Sequence, residues 1–344
     1  TVGQVSGVGR FTAGLVTGLS RLGTDSPAFD YLLFPGFGDF VHPEYSPAVG
    51  PLVDVHSTTT ITVFRGPLPA FADDDRHVPG LDLVYCTANA FPLKLSGRTA
   101  MVVHDTTFLS HPQFHTQENI DLCSRNFERA VRSDCHFVAV SENTRDDFIR
   151  YYSIEPSRID VIHCGIDLTF FRPASALKRV SVQQKYRLPD NFFLYVGSLE
   201  PRKNLKALLL AMMHFEGSEK LVIVGAAGWM NSEVHDLIVA AGDRVQTLGY
   251  VPLSDLPALY SASRAFVYPS LYEGFGLPVI EAMACGAAVI TSDNSSLREI
   301  AQGAAVLVAE PEDPNEITKA LLRLSNRWMW RMAHCFNSSS RNGR

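Results

Sequence analysis

Tyr268-Pro-Ser-Leu-Tyr-Glu273-Gly-Phe-Gly276-Leu-Pro278-Val-Ile-Glu281-Ala-Met-Ala-Cys-Gly286 carries the clearest structural pattern in this chain. Just before it, Arg264-Ala-Phe-Val-Tyr268 is a short apolar and aromatic run, which predicts a buried strand. Gly274 and Gly276 allow a tight turn in which backbone can approach a ligand closely. Pro278 suits the first turn of a helix, where its missing N–H would have no partner anyway. The helix is expected to run to about Gly286, and Ala287-Ala-Val-Ile-Thr291 reads as the next strand. A strand, a glycine turn and a helix whose first amides point at that turn make a ready anion site.

Two carboxylates flank this turn, Glu273 on the loop and Glu281 in the first turns of the helix. They have the wrong charge for holding phosphate and are suited to holding hydroxyls. A carboxylate can accept two hydrogen bonds from a vicinal diol, as in a sugar or a ribose. The plainer alternative is that Glu281 only complements the helix dipole and Glu273 is solvated.

At 344 residues the chain should form about two domains, each able to bury a core. Its 46% hydrophobic and 19% charged residues are ordinary for a globular protein. A formal charge of −6 argues against general nucleic-acid binding. No apolar run approaches the ~20 residues that span a bilayer. The six cysteines are scattered, with no Cys-x-x-Cys pair, which reads as small core residues in a reducing, cytoplasmic compartment. No metal-ligand cluster stands out in the sequence.

From the start, Gly3-Gln-Val-Ser-Gly7-Val-Gly9-Arg10-Phe reads as a glycine loop running into a helix. Such a loop normally follows a strand, so about 15 residues are expected to be missing before Thr1. Tyr31–Phe34, Thr60–Phe64, Leu81–Tyr85 and Thr99–Val103 are strand candidates, and the last delivers His104 to its carboxyl end, where open α/β sheets place ligands. A structural histidine fits that position as well. A helix at Gln117–Arg132, a strand at His136–Val140, a helix capped by Ser141 and a strand at Arg158–Ile162 follow. The pattern then lapses between Phe171 and Asn191. A second α/β unit starts with Phe192-Phe-Leu-Tyr-Val196-Gly197, and Pro201–Met212 reads as its first helix. Arg202 and Lys203 at the head of that helix would oppose its dipole, which suggests an anion between them and the helix end. The alternative is two solvated surface bases. Alternating strands and helices in both halves predict α/β architecture with two doubly wound, Rossmann-like domains facing a central cleft. The expected division is 1–172, a linker at 173–190, 191–325 and a tail at 326–344.

Val196-Gly-Ser-Leu-Glu-Pro-Arg-Lys203-Asn and the Glu-x7-Glu spacing of Glu273 and Glu281 resemble family 4 retaining glycosyltransferases of the GT-B fold. Gly7-Val-Gly9-Arg-Phe-Thr, Val103-His104-Asp105, Asp160–Asp167 and Ser295–Pro314 are similar to further family segments, so the resemblance covers most of the chain. It implies that Glu273 binds donor-sugar hydroxyls and Glu281 the ribose. It assigns the amides of Phe275, Gly276 and Leu277 to the sugar and distal phosphate, and Arg202 and Lys203 to the leaving diphosphate. It puts His104 near the sugar and the incoming hydroxyl, and Gly9 near the phosphates. Such enzymes are similar in needing no metal, and the leaving phosphate is thought to take the acceptor proton, so no protein nucleophile is named.

Besides the strand expected before Thr1, the chain departs from the family pattern in three places. Ser198 stands where many members have arginine, which shifts weight onto Arg202. His163-Cys164 replaces a common Pro-Asn pair. Asn326–Arg344 does not resemble the usual terminal helices. The Gly-Ser-Leu-Glu-Pro-Arg-Lys-Asn variant looks most like bacterial mannosyltransferases of surface-polysaccharide assembly. That implies GDP-mannose as the donor, a lipid-linked or saccharide acceptor and peripheral contact with the inner face of the membrane. Arg125, Arg129 and Arg132 are candidate bases for that contact, and a solvated helix face explains them as well. The alternatives are transfer from a UDP-sugar, a GT-B-like sugar-nucleotide epimerase, or an inactive remnant. Gly7-x-Gly9 lacks the third glycine and the ribose acid of a nicotinamide site.

Overall fold

The computed structural model describes residues 11, 14, 31–33, 61–63, 83–86, 98–225, 232–301 and 303–325. The Gly7–Gly9 loop, Cys335 and the tail at 326–344 lie outside these residues. The chain forms two compact units that divide after Gly165, with residues 110–116 and 141–144 clustering with the second.

In the first unit β1 (Tyr31–Leu33) and β2 (Ile61–Val63) pair in parallel. β3 (Leu83–Cys86), β4 (Arg98–Val103), β5 (Cys135–Ala139) and β6 (Ile159–Val161) form a four-stranded parallel sheet in that order. Between β4 and β5 lies α1 (Gln117–Arg132), where the sequence predicted a helix. α2 (Glu142–Tyr152) lies between β5 and β6, and Ser141 Oγ accepts from the Thr144 amide at its N-terminus. Phe108, Phe127, Phe137 and Phe148 fill the core, with ring centroids 4.8–5.5 Å apart. Arg158 closes the end of α1 by donating to the carbonyls of Val131, Ser133 and Cys135.

The second unit begins with α3 (Ala176–Tyr186), so the stretch 173–190 carries a helix where the sequence pattern suggested a linker. Ser175 caps it, and Lys185 and Tyr186 both donate to Asp255 Oδ2 at 2.6 Å. Its weak pattern has a physical cause: Val182 is its one buried residue, and Leu177 is 85% exposed.

Six strands follow: β7 (Phe192–Val196), β8 (Lys220–Val224), β9 (Val245–Gly249), β10 (Ala265–Tyr268), β11 (Val289–Ser292) and β12 (Val306–Val308). They are all parallel, in the spatial order β9-β8-β7-β10-β11-β12. The sequence therefore runs outward from β7 to one edge and then from β10 to the other. Right-handed crossovers make that reversal place helices on both faces, and so the central strands are apolar throughout. Phe192, Phe193, Leu194 and Tyr195 of β7 and Ala265, Phe266 and Val267 of β10 are fully buried.

The predicted helix Pro201–Met212 is corrected by the structure. Pro201–Lys203 form a separate 3-10 turn, Asn204 turns left-handed at φ 56°, and α4 (Leu205–His214) begins only after it. α5 (Ser232–Ala241) and α6 (Leu256–Ala262) follow. The expected helix after the glycine turn is α7 (Leu277–Ala284), with Pro278 in its first turn. α8 (Ser295–Ala301) and α9 (Pro314–Ser325) complete the described chain. Cys123, Cys135, Cys164 and Cys285 are buried and free of disulfides. Among the described residues no helix is long and apolar enough to cross a membrane.

Candidate active site

β7 and β10 are neighbours, and the chain leaves their carboxyl ends toward opposite edges of the sheet. This is the topological switch point, where an open α/β sheet leaves a crevice for ligands. The loop after β7 carries Ser198, Glu200, Arg202 and Lys203; the loop after β10 carries Ser270 and Glu273. Fold topology alone thus brings together two loops about 70 residues apart in sequence.

Their side chains form one connected cluster. Arg202 Nη1 donates to Glu273 Oε2 (2.9 Å) and to the Tyr272 carbonyl (3.0 Å). Lys203 Nζ donates to Glu273 Oε1 (2.6 Å) and to the Tyr268 hydroxyl (2.7 Å). Ser270 Oγ lies 2.6 Å from the same Glu273 Oε1. On the far side Glu200 Oε1 accepts from Ser198 Oγ at 2.7 Å and pairs with Arg202 Nη2 at 3.4 Å. Arg202 and Lys203 therefore do not crowd a helix terminus, and their counter-charges are two carboxylates of the fold. Ser198, which stands where many family members have arginine, fixes the acid that backs Arg202.

Burial makes this pairing necessary. Glu273 is 6% exposed and Lys203 8%, and an unpaired charge at either place would carry a large desolvation cost. Burial pushes the Glu273 carboxyl up, but Arg202, Lys203 and the Lys203 and Ser270 hydrogen bonds outweigh it and hold it at about 2, against an ordinary 4.5. Burial and the neighbouring Arg202 push the Lys203 ammonium down, against the pull of Glu273 and Glu200.

A pH dependence follows from Glu273. Because its folded value is depressed, its contribution is complete above pH 4.5 and is lost as pH falls toward about 2. That contribution is on the order of 3 kcal/mol. Denaturant titrations between pH 4.5 and 2 should therefore show a steeper loss of stability in the wild type than in Glu273→Gln. Equal slopes would show that Glu273 is not held low.

The glycine loop is fixed from behind. The Glu273 and Phe275 carbonyls each accept from Ser296 Oγ at 2.8 Å, and the Gly274 carbonyl from Ser141 and Thr144. Gly276 takes φ 105° at the N-cap of α7, a region that disfavours side chains. With its carbonyls turned into the protein, the loop leads Phe275, Gly276 and Leu277 directly into the helix N-terminus, an arrangement suited to an anion. Glu281, 1% exposed within α7, accepts from the Tyr260 hydroxyl at 3.2 Å.

Arg202, Lys203, Glu273, Phe275–Leu277 and Glu281 all belong to the second unit. His104 belongs to the first, immediately after β4, with Phe11 edge-on at 5.1 Å. Gly9 lies outside the described residues. Among the described residues no group of three or more His, Cys, Asp or Glu could hold a metal ion. Sequence reasoning passed over Glu200, Tyr268 and Ser270. The signal for Glu200 was a carboxylate two residues before an arginine in a strand-end loop. Tyr268 was hidden in a run that reads as plain core.

Residues 5–170 match the model of Glycosyltransferase Family 4, and residues 179–342 that of Glycosyl transferases group 1. The chain is 35% identical over 260 residues to the O-antigen chain mannosyltransferase B of Escherichia coli, covering 73% of this chain and 67% of that protein. The chain is a family 4 glycosyltransferase. The O-antigen chain mannosyltransferase RfbU of Salmonella typhimurium is 29% identical over 243 residues, which cover 70% of this chain and 64% of that one. The chain spans only 29% of the length of the Escherichia coli serotype-specific mannosyltransferase WbdA, to which it is 32% identical. Among solved structures, sucrose-phosphate synthase of Thermosynechococcus elongatus is 26% identical, with TM-score 0.59, covering 71% of this glycosyltransferase and 63% of that chain. Anabaena Alr3699/HepE shares the fold at TM-score 0.73 and 18% identity, covering 98% of this chain and 92% of its own. The fold class is thus GT-B, with a parallel-sheet α/β unit in each half, as the sequence predicted, and the enzyme is a hexosyltransferase.

Proposed function

We propose that this glycosyltransferase moves mannose, with retained configuration, from GDP-mannose to a lipid-linked or saccharide acceptor in surface-polysaccharide assembly. The observation that carries the reading is the Arg202–Glu273–Lys203 cluster at the switch point, with Glu273 and Lys203 buried. Two cations fixed there before any ligand arrives suit a diphosphate that gains charge as it leaves. The O-antigen mannosyltransferases among its relatives support the sugar and the pathway class.

In this mechanism Arg202 and Lys203 neutralise the departing diphosphate, and the amides of Phe275, Gly276 and Leu277 receive the distal phosphate and sugar. Glu273 holds both cations and offers its remaining acceptor capacity to a sugar hydroxyl. A carboxylate with a pKa of about 2 and three hydrogen bonds is a poor nucleophile and a poor base. The resemblance to the family implies instead that the acceptor proton goes to the leaving phosphate. Glu281 is assigned to the ribose hydroxyls, and His104 and Gly9 keep the roles the resemblance implies. No metal or cofactor enters the scheme. The site of action is the cytoplasmic face of the membrane, where the exposed Arg125, Arg129 and Arg132 of α1 would meet anionic lipid.

Calorimetric titration with GDP, UDP and ADP, followed by transfer from GDP-mannose, tests the assignment. GDP should bind at least about tenfold tighter than the other two, a gap of about 1.4 kcal/mol. A preference for UDP, with transfer from a UDP-sugar, would replace the mannosyl reading with a glucosyl-type one.

A further inference from the structure

The cluster contains a group that neither the motif nor the proposed reaction uses. Tyr268 ends β10 and is 1% exposed. Its backbone is pinned by pairing with Thr291 of β11 and by the Thr291 hydroxyl, which donates to its carbonyl at 2.8 Å. Its ring lies against Phe266 and Tyr195, at centroid distances of 5.6 and 6.1 Å. A phenylalanine would satisfy all of this packing. The hydroxyl needs another explanation, since a buried one must find a partner. Tyr195, beside it in β7, places its hydroxyl on the Ser198 carbonyl at 3.1 Å, an ordinary structural solution. Tyr268 instead meets the Lys203 ammonium at 2.7 Å, and that ammonium also sits 5.2 Å from the centre of the Tyr268 ring.

We propose that the Tyr268 hydroxyl is a positioning group for Lys203: it fixes one of the three ammonium N–H bonds, Glu273 fixes a second, and the third is left for the leaving diphosphate. The inference rests on the reading of Lys203 as a diphosphate-facing base. An ammonium on a flexible stem has three rotatable donors and no preferred direction of its own. Two rigid acceptors, one from β10 and one from the loop after it, convert it into a directed donor. The groups facing Lys203 are Arg202 on its own turn, Glu200 before it, Glu273 on the opposite loop and Tyr268 below, with Tyr195 behind Tyr268. Removing the Tyr268 hydroxyl keeps every charge, but it withdraws an acceptor from the Lys203 ammonium and a hydrogen bond from Glu273. Burial and Arg202 already push the ammonium down, so the loss moves it further in the same direction.

The test is made on the full chain with wild type, Tyr268→Phe and Tyr195→Phe, and with Lys203→Met for assignment. The titration of Lys203 is followed by its side-chain carbon resonance, identified as the one missing from Lys203→Met, alongside the pH profile of kcat. In Tyr268→Phe the Lys203 midpoint and the alkaline limb of kcat should both fall by about one to two pH units. The donor KM should stay within about threefold, since the ground-state contacts remain. Tyr195→Phe should shift neither, which separates positioning from general loss of a buried hydroxyl. An unchanged Lys203 midpoint in Tyr268→Phe would overturn the proposal even if sugar transfer is normal. Should the wild type transfer no sugar, the functional reading fails, while the Lys203 titration still decides the role of Tyr268.

Discussion

Glu273→Gln should lower the turnover number by about 10³. The exchange keeps shape and volume but removes the charge that both Arg202 and Lys203 need. The new amide turns an N–H₂ toward one of those two donors, so one cation loses its acceptor. Each preorganised donor to developing charge is worth about 10² to 10³ in rate, and here two are disturbed by one substitution. Ground-state affinity for the bare nucleoside diphosphate should change much less, since both cations remain and lose only their internal competitor. Initial-rate kinetics of sugar transfer together with calorimetry of the diphosphate separate the two effects. Turnover within tenfold of wild type would show that Glu273 does not organise the cations. The alanine variant is the harsher change: breaking a buried pair costs about 3–5 kcal/mol of stability, so Glu273→Ala should also melt earlier.

The second large effect lies at the ends of β7 and β8. Gly225 follows β8 with φ 153°, and a Cβ there would sit 1.9 Å from the carbonyl oxygen of Gly197, the residue that follows β7. The obstacle is backbone on both sides. Gly197 N–H donates to the Val224 carbonyl and Gly225 N–H to that of Gly249, which holds β7, β8 and β9 in register. A methyl group can be admitted only by prising apart the two central loops. Gly225→Ala should therefore cost about 4 kcal/mol or more, at the exceptional end for one substitution. For a unit of this size that is a fall of about 8–16 °C in melting temperature. Differential scanning calorimetry provides the check, and a shift below about 2 °C would show that the two loops can separate freely.

The glycine turn was legible because its signals are local. Apolar strand residues, Gly276, Pro278 and the helix that follows act within one run of chain, and Gly276 adopts a positive φ within the predicted turn. Helix α1 was legible because its buried face, with Cys123, Phe127 and Ala130, repeats at helical spacing. Helix α3 was not, since a helix docked through Val182 and a polar tie to Asp255 leaves almost no apolar stripe. The partner of Arg202 and Lys203 shows a different limit. Their sequence position called for a negative charge nearby, and one is there, but it is Glu273, some 70 residues away. Only the strand order, which places β10 beside β7, brings the two loops together, and that order is a long-range property. The Tyr268 hydroxyl was hidden for a related reason, because an aromatic residue ending an apolar strand reads as packing.

Arg202 and Lys203, held by Glu273 at the switch point, are the proposed seat of the diphosphate. Calorimetry checks this by comparing the best-bound nucleoside diphosphate with its parent nucleoside, in the wild type and in Lys203→Met. The ratio of their affinities isolates the diphosphate from the base and ribose. If the account is right, that ratio should fall at least about tenfold in the variant, a loss of about 1.4 kcal/mol, while nucleoside affinity stays the same. An unchanged ratio would mean that the diphosphate is held elsewhere, and would contradict the account.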